Sequence, residues 1–437
     1  MSRRNLALFA APCLGLAGIG LPLTVTLPSY YSGQLGLSLS AVGVAFMAVR
    51  LVDIGLDPIL GVLMDRTRTP FGRFKPWFAA GTPLLMLASA MLFLARPGVT
   101  SAYLIVGLAL AYGGWSICVL AQTAWGSLLS PLYNERSRIY GWWQAFNLIG
   151  LLAILVLPVA ASRVDPGPAM GVRAMGLYLV VLLPLSAALA ILFVKEPAPN
   201  ASARPARMSD WGELMQSRAI RRLLVADLLI GLAFGIEASL FLFFFTKAKG
   251  FSQGFSNVAL LLYFIGALIG GPLWTTLARR ASKHASLAIS CLAGIAGLLI
   301  FYVIPSGQTA WGCIAALLAG LPYAASNQIV RALMADAGDE EKLKSGVDRT
   351  GLLYAILTGT SKIGAALAVG VTFVGLDWAG FDAASDRNSP EALLGLRSMF
   401  LGAPAALFVL AALALFRYPL TRRRHDEIRL ALEQRKP

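Results

Sequence analysis

Residues 41–64 read AVGVAFMAVRLVDIGLDPILGVLM. The run is long and apolar enough to cross a bilayer as a helix, yet it carries Arg50, Asp53 and Asp57, with Pro58 directly after. A charged side chain at mid-membrane depth costs about 2.5–3.5 kcal/mol on insertion scales, so such groups face a protein interior or a water-filled path and mark ion or substrate sites. The stretch therefore says that the chain enters a membrane and that its chemistry sits inside a span.

Composition agrees with that reading. A chain of 437 residues with 57% hydrophobic and only 14% charged residues, and a mean hydropathy of +0.70, is a polytopic membrane protein and not a water-soluble domain. At about twenty apolar residues per crossing, about twelve spans fit. They lie near Asn5–Ser32, Ser40–Met64, Trp77–Leu94, Ser101–Leu129, Ile139–Ala160 and Met175–Val194, then near Arg222–Phe245, Asn257–Leu277, Ser286–Ile304, Ala310–Leu333, Gly351–Gly375 and Leu396–Leu415.

The net charge of +15 raises nucleic acid as a partner, but its distribution argues for a membrane. With loops assigned alternately, about 28 of the 37 basic residues fall on the side that holds both termini and about 7 on the other, so the positive-inside rule places both termini in the cytoplasm. Arg50 and Lys362 lie within spans. The tail Thr421–Lys436, with Arg422, Arg423 and Arg424, reads as a cytoplasmic anchor at anionic lipid. Arg3 and Arg4 precede a long apolar run followed at once by further helices, which reads as an uncleaved first span rather than a signal peptide.

Cys13, Cys118, Cys291 and Cys313 are widely spaced in apolar spans, without metal-ligand spacing, and read as small buried hydrophobes. No structural metal site and no cofactor is expected. His284 and His425 sit on basic cytoplasmic segments without a nucleophile motif, so an enzyme is not expected either.

The polar interval Lys195–Arg221 divides the spans six and six. The expected fold is an all-α membrane protein of twelve transmembrane helices in two six-helix bundles. The first bundle covers 1–194, a cytoplasmic linker 195–221, the second bundle 222–417 and a basic cytoplasmic tail 418–437. In many transporters two such bundles enclose a central site and rock about it. A faint internal echo fits duplication: the second span ends at Gly61–Arg66 and the eighth at Gly271–Arg280, each turning into a basic loop.

Asp53 and Asp57 are four apart, so their carboxylates share one helix face, and Arg50 stands three before Asp53. Hard cations prefer oxygen ligands. Two carboxylates lining a cavity can hold Na⁺ directly, or one can take a proton once burial favours its neutral form. The structural alternative is a salt-bridge cluster, Arg50 with Asp53 and Lys362 with Asp57, locking the bundles together.

The run Arg50-Leu-Val-Asp53-Ile-Gly-Leu-Asp57-Pro58, with Gly61, Asp65, Arg66, Thr67, Arg68 and Gly72-Arg-Phe-Lys-Pro-Trp77, resembles the second span and following loop of the glycoside-pentoside-hexuronide:cation symporters, the melibiose permease branch of the major facilitator superfamily. Tyr30-Tyr31 before Gly36-Leu-Ser38, Ala124-Trp-Gly-Ser-Leu128 and Thr360-Ser-Lys362-Ile-Gly364 extend the resemblance over most of the chain. It implies the major facilitator fold and secondary transport driven by Na⁺, H⁺ or Li⁺, with Asp53 and Asp57 holding the coupling cation and Lys362 near them. The family's three charged sugar contacts correspond here to Ala17, Gln122 and Trp143, and its asparagine between the two aspartates to Leu56. Galactoside specificity is therefore not implied, and H⁺ is favoured over Na⁺.

Gln122, Trp125, Trp142, Trp143, Gln144 and Asn147 on the fourth and fifth spans, with Tyr30 and Tyr31 in the first, offer aromatic faces and amides suited to a sugar ring or a larger amphipathic ligand. The same residue types also fill helix packing and interfacial belts. Glu237, in the middle of the seventh span, reads as a second protonatable site, as a counter-charge to a cationic substrate, or as a neutral acid bonded to a neighbouring helix. Asp227 reads as a cap or loop contact. Tyr323, Asn327 and Gln328 face the expected cavity from the tenth span, and Arg331 and Asp336 close an inner gate by pairing.

Asp65, Arg66, Arg68, Arg73 and Lys75 look like the superfamily's cytoplasmic gate. Asp65→Ala should slow transport without reordering substrate preference, and an altered ranking would count against the assignment. Three readings follow: cation-coupled symport of a small polar solute, a sugar or glycoside; the same fold carrying an amphipathic solute such as a lysolipid; or a non-transporting receptor or assembly factor. A bacterial inner-membrane location and a monomer are expected, with Gly266–Gly271 allowing close helix packing.

Overall fold

The structure, a computed structural model, describes residues 2–129, 133–164, 167–196, 212, 214–345, 350–385, 387–420 and 422–434. The side chains of Asp65, Arg66 and Asn327 lie outside the described set, as does most of the linker 195–221. Among the described residues the chain is helical, apart from an isolated bridge between Thr69 and Gly72.

The first helices are α1 (Arg3–Ala10), α2 (Cys13–Gly20), α3 (Thr26–Gly33), α4 (Leu39–Arg66), α5 (Lys75–Phe93), α6 (Ser101–Leu128), α7 (Tyr133–Ala161) and α8 (Pro168–Phe193). There follow α9 (Arg218–Phe243), which ends in a π-helical turn Phe244–Ala248, α10 (Gln253–Arg280), α11 (Lys283–Val303), α12 (Thr309–Gly320), α13 (Tyr323–Ser345) and α14 (Thr350–Trp378). The last are α15 (Pro390–Arg397), continued by the π-helical Ser398–Gly402, α16 (Ala403–Leu415) and α17 (Arg422–Gln434).

Among the described residues eleven helical segments are long and apolar enough to cross a membrane, two of which, Thr309–Ser345 and Pro390–Leu415, run through more than one of these helices. The expected first span is instead three helices of eight residues each. Pro12 and Pro22 bring no N–H to the ladder, and the backbone turns at both points, with Gly15 bonding the Pro12 carbonyl and Leu27 the Pro22 carbonyl. Elsewhere the helices begin where polar caps permit: Ser38 accepts from the Ala41 N–H at 3.2 Å, and Thr100 from the Tyr103 N–H at 3.3 Å.

The chain divides into two compact units: Met1–Ser202 with Ser252–Asn257 and Val369–Leu393, and Ala203–Phe251 with Val258–Ala368 and Leu394–Pro437. Within the first unit, α8 shows the patterning of a lipid-exposed helix. Leu177, Val181 and Leu185, each four residues from the next, are exposed, whereas Leu179 and Leu183 are buried.

In the second unit a phenylalanine cluster joins α9 to the two π-helical turns. Phe244 stacks on Phe400 at 4.1 Å and Phe241 on Phe245 at 4.6 Å, with Phe301 edge-on to both Phe241 and Phe245. Lys249 donates to the carbonyls of Tyr302 and Ile304, both at 2.8 Å, and so caps the end of α11. Burial, aided by the Arg397 charge, holds the Lys249 ammonium below its ordinary pKa.

The expected tenth span is broken between α12 and α13 at Pro322. There the Leu321 carbonyl accepts from Trp274 Nε1 at 2.8 Å. The glycine face of α10 lies on this break: a Cβ on Gly266 or Gly270 would run into the Leu317 or Leu321 carbonyl, and one on Gly320 into the Tyr263 carbonyl. The close packing expected of Gly266–Gly271 is thus made within this chain. The thiols of Cys13, Cys118 and Cys291 are buried and free, and that of Cys313 is half-buried.

Candidate functional site

In the first unit, α4 carries Asp53 into the interior at 1% exposure. Its two oxygens have different partners. Arg50 Nη1, one turn back on the same helix, pairs with Oδ2 at 3.2 Å, and Ser116 Oγ of α6 donates to Oδ1 at 2.7 Å. The Arg50 guanidinium lies over the rings of Tyr112 at 4.6 Å and Trp115 at 5.4 Å, a placement that lowers the cost of keeping a cation out of water. Trp115 Nε1 donates to the Leu16 carbonyl of α2 at 3.0 Å, which fixes its ring. Asp57, one turn further along α4, is half-buried.

The intrahelical pair imagined as a structural lock is therefore present, but in a setting that also suits ion chemistry. A buried carboxylate is bounded by a guanidinium on one side and a hydroxyl on the other. Ser116, Tyr112 and Trp115 escaped the sequence reading. Their only signal was three polar or aromatic residues at helical spacing in an otherwise apolar span.

A second polar cluster sits further along α6. Gln122 is buried; its Nε2 donates to the Phe9 carbonyl at 2.9 Å, and its Oε1 accepts from Trp143 Nε1 at 3.4 Å and Cys13 Sγ at 3.5 Å. Asn147 donates to the Trp143 carbonyl at 2.8 Å. Gln122, Trp143 and Asn147 are thus brought together, with Trp143 and Asn147 half-buried and Gln144 exposed.

Trp125 lies elsewhere, fully buried between Phe9 at 5.6 Å and Phe78 at 6.5 Å, with Lys75 Nζ 5.4 Å from its ring. Tyr30 and Tyr31 are also buried, and their hydroxyls donate to the Ala95 and Leu92 carbonyls at 3.3 and 3.2 Å, which ties α3 to the end of α5.

In the second unit, Glu237 of α9 and Tyr263 of α10 are both buried. Tyr263 in turn lies 6.1 Å from Tyr323, which meets Phe234 edge-on at 5.0 Å. Lys362 is buried on α14. Asp227 is not a cap or loop contact: it lies well inside α9 and accepts from Ser361 of α14 at 3.3 Å.

The expected pairing of Arg331 with Asp336 is not made. Five residues apart on one helix, they are turned about 140° from each other. Asp336 instead takes Lys283 Nζ at 2.7 Å on both oxygens and His425 Nε2 at 3.3 Å, while Asp339 receives the same imidazole nitrogen at 3.2 Å. Asp336, Lys283 and His425 line a cavity of about 550 Å³ with Gln328, Thr275 and Asp426. His284, also in its wall, lies 6.0 Å from the ring of Tyr418.

The loop after α4 is organised by an acid that the sequence did not single out. The consecutive N–H groups of Arg73, Phe74 and Lys75 all donate to the Glu196 carboxylate, at 2.7–3.1 Å. An anion at a helix start complements the unpaired N–H groups of α5. Gly72 makes the turn at φ 117°, and a Cβ there would meet the Glu196 carboxylate. Arg73 Nε adds a bond to the Met64 carbonyl at 3.1 Å. Glu196→Ala would leave three donors without their acceptor, an expected loss of about 2 kcal/mol or more in stability. The check is thermal unfolding of the purified protein, which should show a lowered midpoint in Glu196→Ala and a smaller drop in Glu196→Gln.

Comparison with known proteins gives the family and the fold. The chain is 24% identical over 415 residues to the glucuronide carrier protein homolog of Escherichia coli (strain K12), spanning 93% of this chain and 90% of that one. It is 22% identical over 434 residues to the sphingosine-1-phosphate transporter MFSD2B of Mus musculus, spanning 91% and 86%. Among solved structures, the nucleoside transporter NupG superposes with a TM-score of 0.71 at 14% identity, covering 95% of this chain and all of that one, a likeness of fold. The protein is an integral membrane protein with an all-helical fold of the major facilitator type. Residues 8–422 match the family described as MFS/sugar transport protein, and the chain belongs to that family, on its glycoside-pentoside-hexuronide:cation symporter branch.

Proposed function

We propose that the protein is a secondary active transporter of the bacterial inner membrane that couples entry of a cation, H⁺ or Na⁺, to symport of a small polar solute, a sugar or glycoside, by alternating access. The observation that carries the reading is Asp53, a buried carboxylate inside a span, held by Arg50 and Ser116. A charge placed there at such cost serves an ion path. Asp57 is the second carboxylate of the site, and Lys362 is assigned to it by family position. The likeness to a glucuronide carrier homolog supports a glycoside as cargo.

The broken segment 3–33 supplies the twelfth crossing, with both termini cytoplasmic. Gln122, Trp143 and Asn147 present amide and indole groups to the solute, with Glu237 as a further candidate contact. The protein acts as a monomer with the bilayer and a small molecule as its partners, without nucleic acid.

A second reading keeps the mechanism and changes the cargo to an amphipathic solute. The match to a sphingosine-1-phosphate transporter over 91% of the chain favours it, as do the uncharged Gln122 and Trp143 where the family holds sugar with charge. Uptake of labelled glucuronides, neutral glycosides and lysolipids into proteoliposomes under imposed Na⁺ or H⁺ gradients tests both readings. Gradient-driven accumulation of glycosides supports the first, and competition by lysolipids but not sugars supports the second. Absence of flux for every class, with the protein shown to be inserted and folded, would remove both.

A further inference from the structure

Within the second unit, α10, α11 and α13 and the segment from Leu420 into α17 bound the cavity of about 550 Å³, a volume in the range of small-molecule sites, about 300–1,000 Å³. Part of its wall is apolar: Ile329, Leu333 and Leu420, all buried. The rest carries polar groups with hydrogen-bonding capacity to spare. Lys283 Nζ meets both oxygens of Asp336 at 2.7 Å, and an ammonium has three N–H donors, so one is left over. Gln328 Oε1 accepts from the Thr275 hydroxyl at 3.0 Å, while its Nε2 has no acceptor among the described residues. The His284 imidazole lies against the Tyr418 ring and makes no hydrogen bond among the described residues.

An ammonium N–H, an amide and an imidazole together match hydroxyl groups, which both give and take hydrogen bonds. The apolar wall matches the C–H face of a sugar ring. Charge narrows the class further. The one ammonium in the wall, Lys283, is already paired with Asp336, and Asp426 adds a second carboxylate. With the imidazoles neutral, a solute carboxylate would meet more negative charge than positive. We infer that this cavity is a second solute site that takes an uncharged polyhydroxylated ring, separate from Gln122, Trp143 and Asn147 of the first unit. The inference rests on the reading of the cargo as a sugar or glycoside. With both termini in the cytoplasm, α17 marks the cavity as lying on that side, where an entering solute is released.

The test localises binding on the purified full-length protein. Ala278 lines the cavity with a methyl group, so Ala278→Cys places a thiol in the wall, and Cys313→Ser removes the half-buried native thiol. Alkylation by N-ethylmaleimide is timed against methyl β-glucoside, methyl β-galactoside and methyl β-glucuronide. Ala332→Cys, in the same wall, supplies the thiol should Ala278→Cys fail to fold. A neutral glycoside should slow alkylation. Its half-protecting concentration should rise about three- to tenfold in His284→Ala and in Gln328→Ala, the size of one neutral hydrogen bond, and stay unchanged in Trp143→Ala. The glucuronide should protect at least about tenfold more weakly, because a carboxylate left without a cation costs more than a hydroxyl left without a partner.

Alkylation that neutral glycosides do not slow, although they still raise the melting temperature of the same protein, would overturn the second site and leave the sugar reading standing. Protection that Trp143→Ala removes, or that His284→Ala and Gln328→Ala both leave unmoved, would do the same. Equal protection by the glucuronide would overturn the uncharged class. If neither alkylation nor melting responds to any of the three glycosides in a folded protein, the sugar reading beneath the inference falls with it.

Discussion

Asp53→Asn is expected to abolish gradient-driven accumulation, a loss of at least about a hundredfold, given that ions and protons are taken up by charged carboxylates placed at such sites. The variant also strands Arg50, which is 12% exposed. Removing one partner of a buried ion pair costs about 3–5 kcal/mol because the other charge is left uncompensated. The rings of Tyr112 and Trp115 offset part of that, on the order of 1–2 kcal/mol for a desolvated cation over aromatic faces.

A loss of transport by the single variant is therefore ambiguous between chemistry and folding. The double variant Arg50→Gln/Asp53→Asn resolves the ambiguity, because it removes both charges together. It should regain the melting temperature lost in Asp53→Asn while transport remains uncoupled from the ion gradient. Recovery of gradient-driven uptake in the double variant would instead make the pair a structural lock and sink the coupling role. Asp57→Asn, tested alongside, should lose coupling with a smaller drop in melting temperature, since Asp57 is half-buried.

The second large effect concerns packing. Gly266→Val and Gly270→Val should each lower stability by about 3 kcal/mol or more, at or beyond the upper end for overpacked sites. The atoms their side chains would strike are the Leu317 and Leu321 carbonyl oxygens, and backbone cannot rotate aside as a side-chain tip can. The Leu321 oxygen is further held by Trp274. The yield of monodisperse protein and its melting temperature are the measurements. Gly231→Ala is the matched control: it lies within α9 with no heavy atom within 4 Å of its would-be Cβ, so it should be neutral or stabilising by about 0.4–1 kcal/mol. Equal losses at Gly231 and Gly270 would mean that α10 and α12 do not meet as described.

The glycine stripe and the charged span were legible because each is a local pattern. Gly266–Gly271 announces close packing by residue size alone, and Asp53 stands out by its charge within an apolar run. Partners between helices are not local patterns. Arg331 and Asp336 both lie near the end of one span, a placement that suggests pairing, but helical geometry turns them apart, and Lys283 and His425 arrive from α11 and α17. Asp227 lies near the start of a span, where a carboxylate reads as a cap or loop contact, and its acceptor role toward Ser361 depends on α14, 134 residues away. The single span expected over Asn5–Ser32 gave way to three short helices because hydropathy averages over Pro12 and Pro22, whereas the backbone ladder cannot.

By itself the sequence determined the membrane class, the helical content, the family and the presence of two carboxylates within a span. Each of these is written in hydropathy, charge and short-range spacing, quantities that survive without knowledge of neighbours. The tertiary structure decided which groups meet the charged ones: Ser116 at Asp53, 63 residues away, the Tyr112 and Trp115 rings over Arg50, and Glu196 at the start of α5, 121–123 residues from the N–H groups it binds. A hydrogen bond or ion pair depends on angstrom-scale approach between helices, and that approach is set by the packing of whole helix faces, which no short stretch of the chain encodes alone.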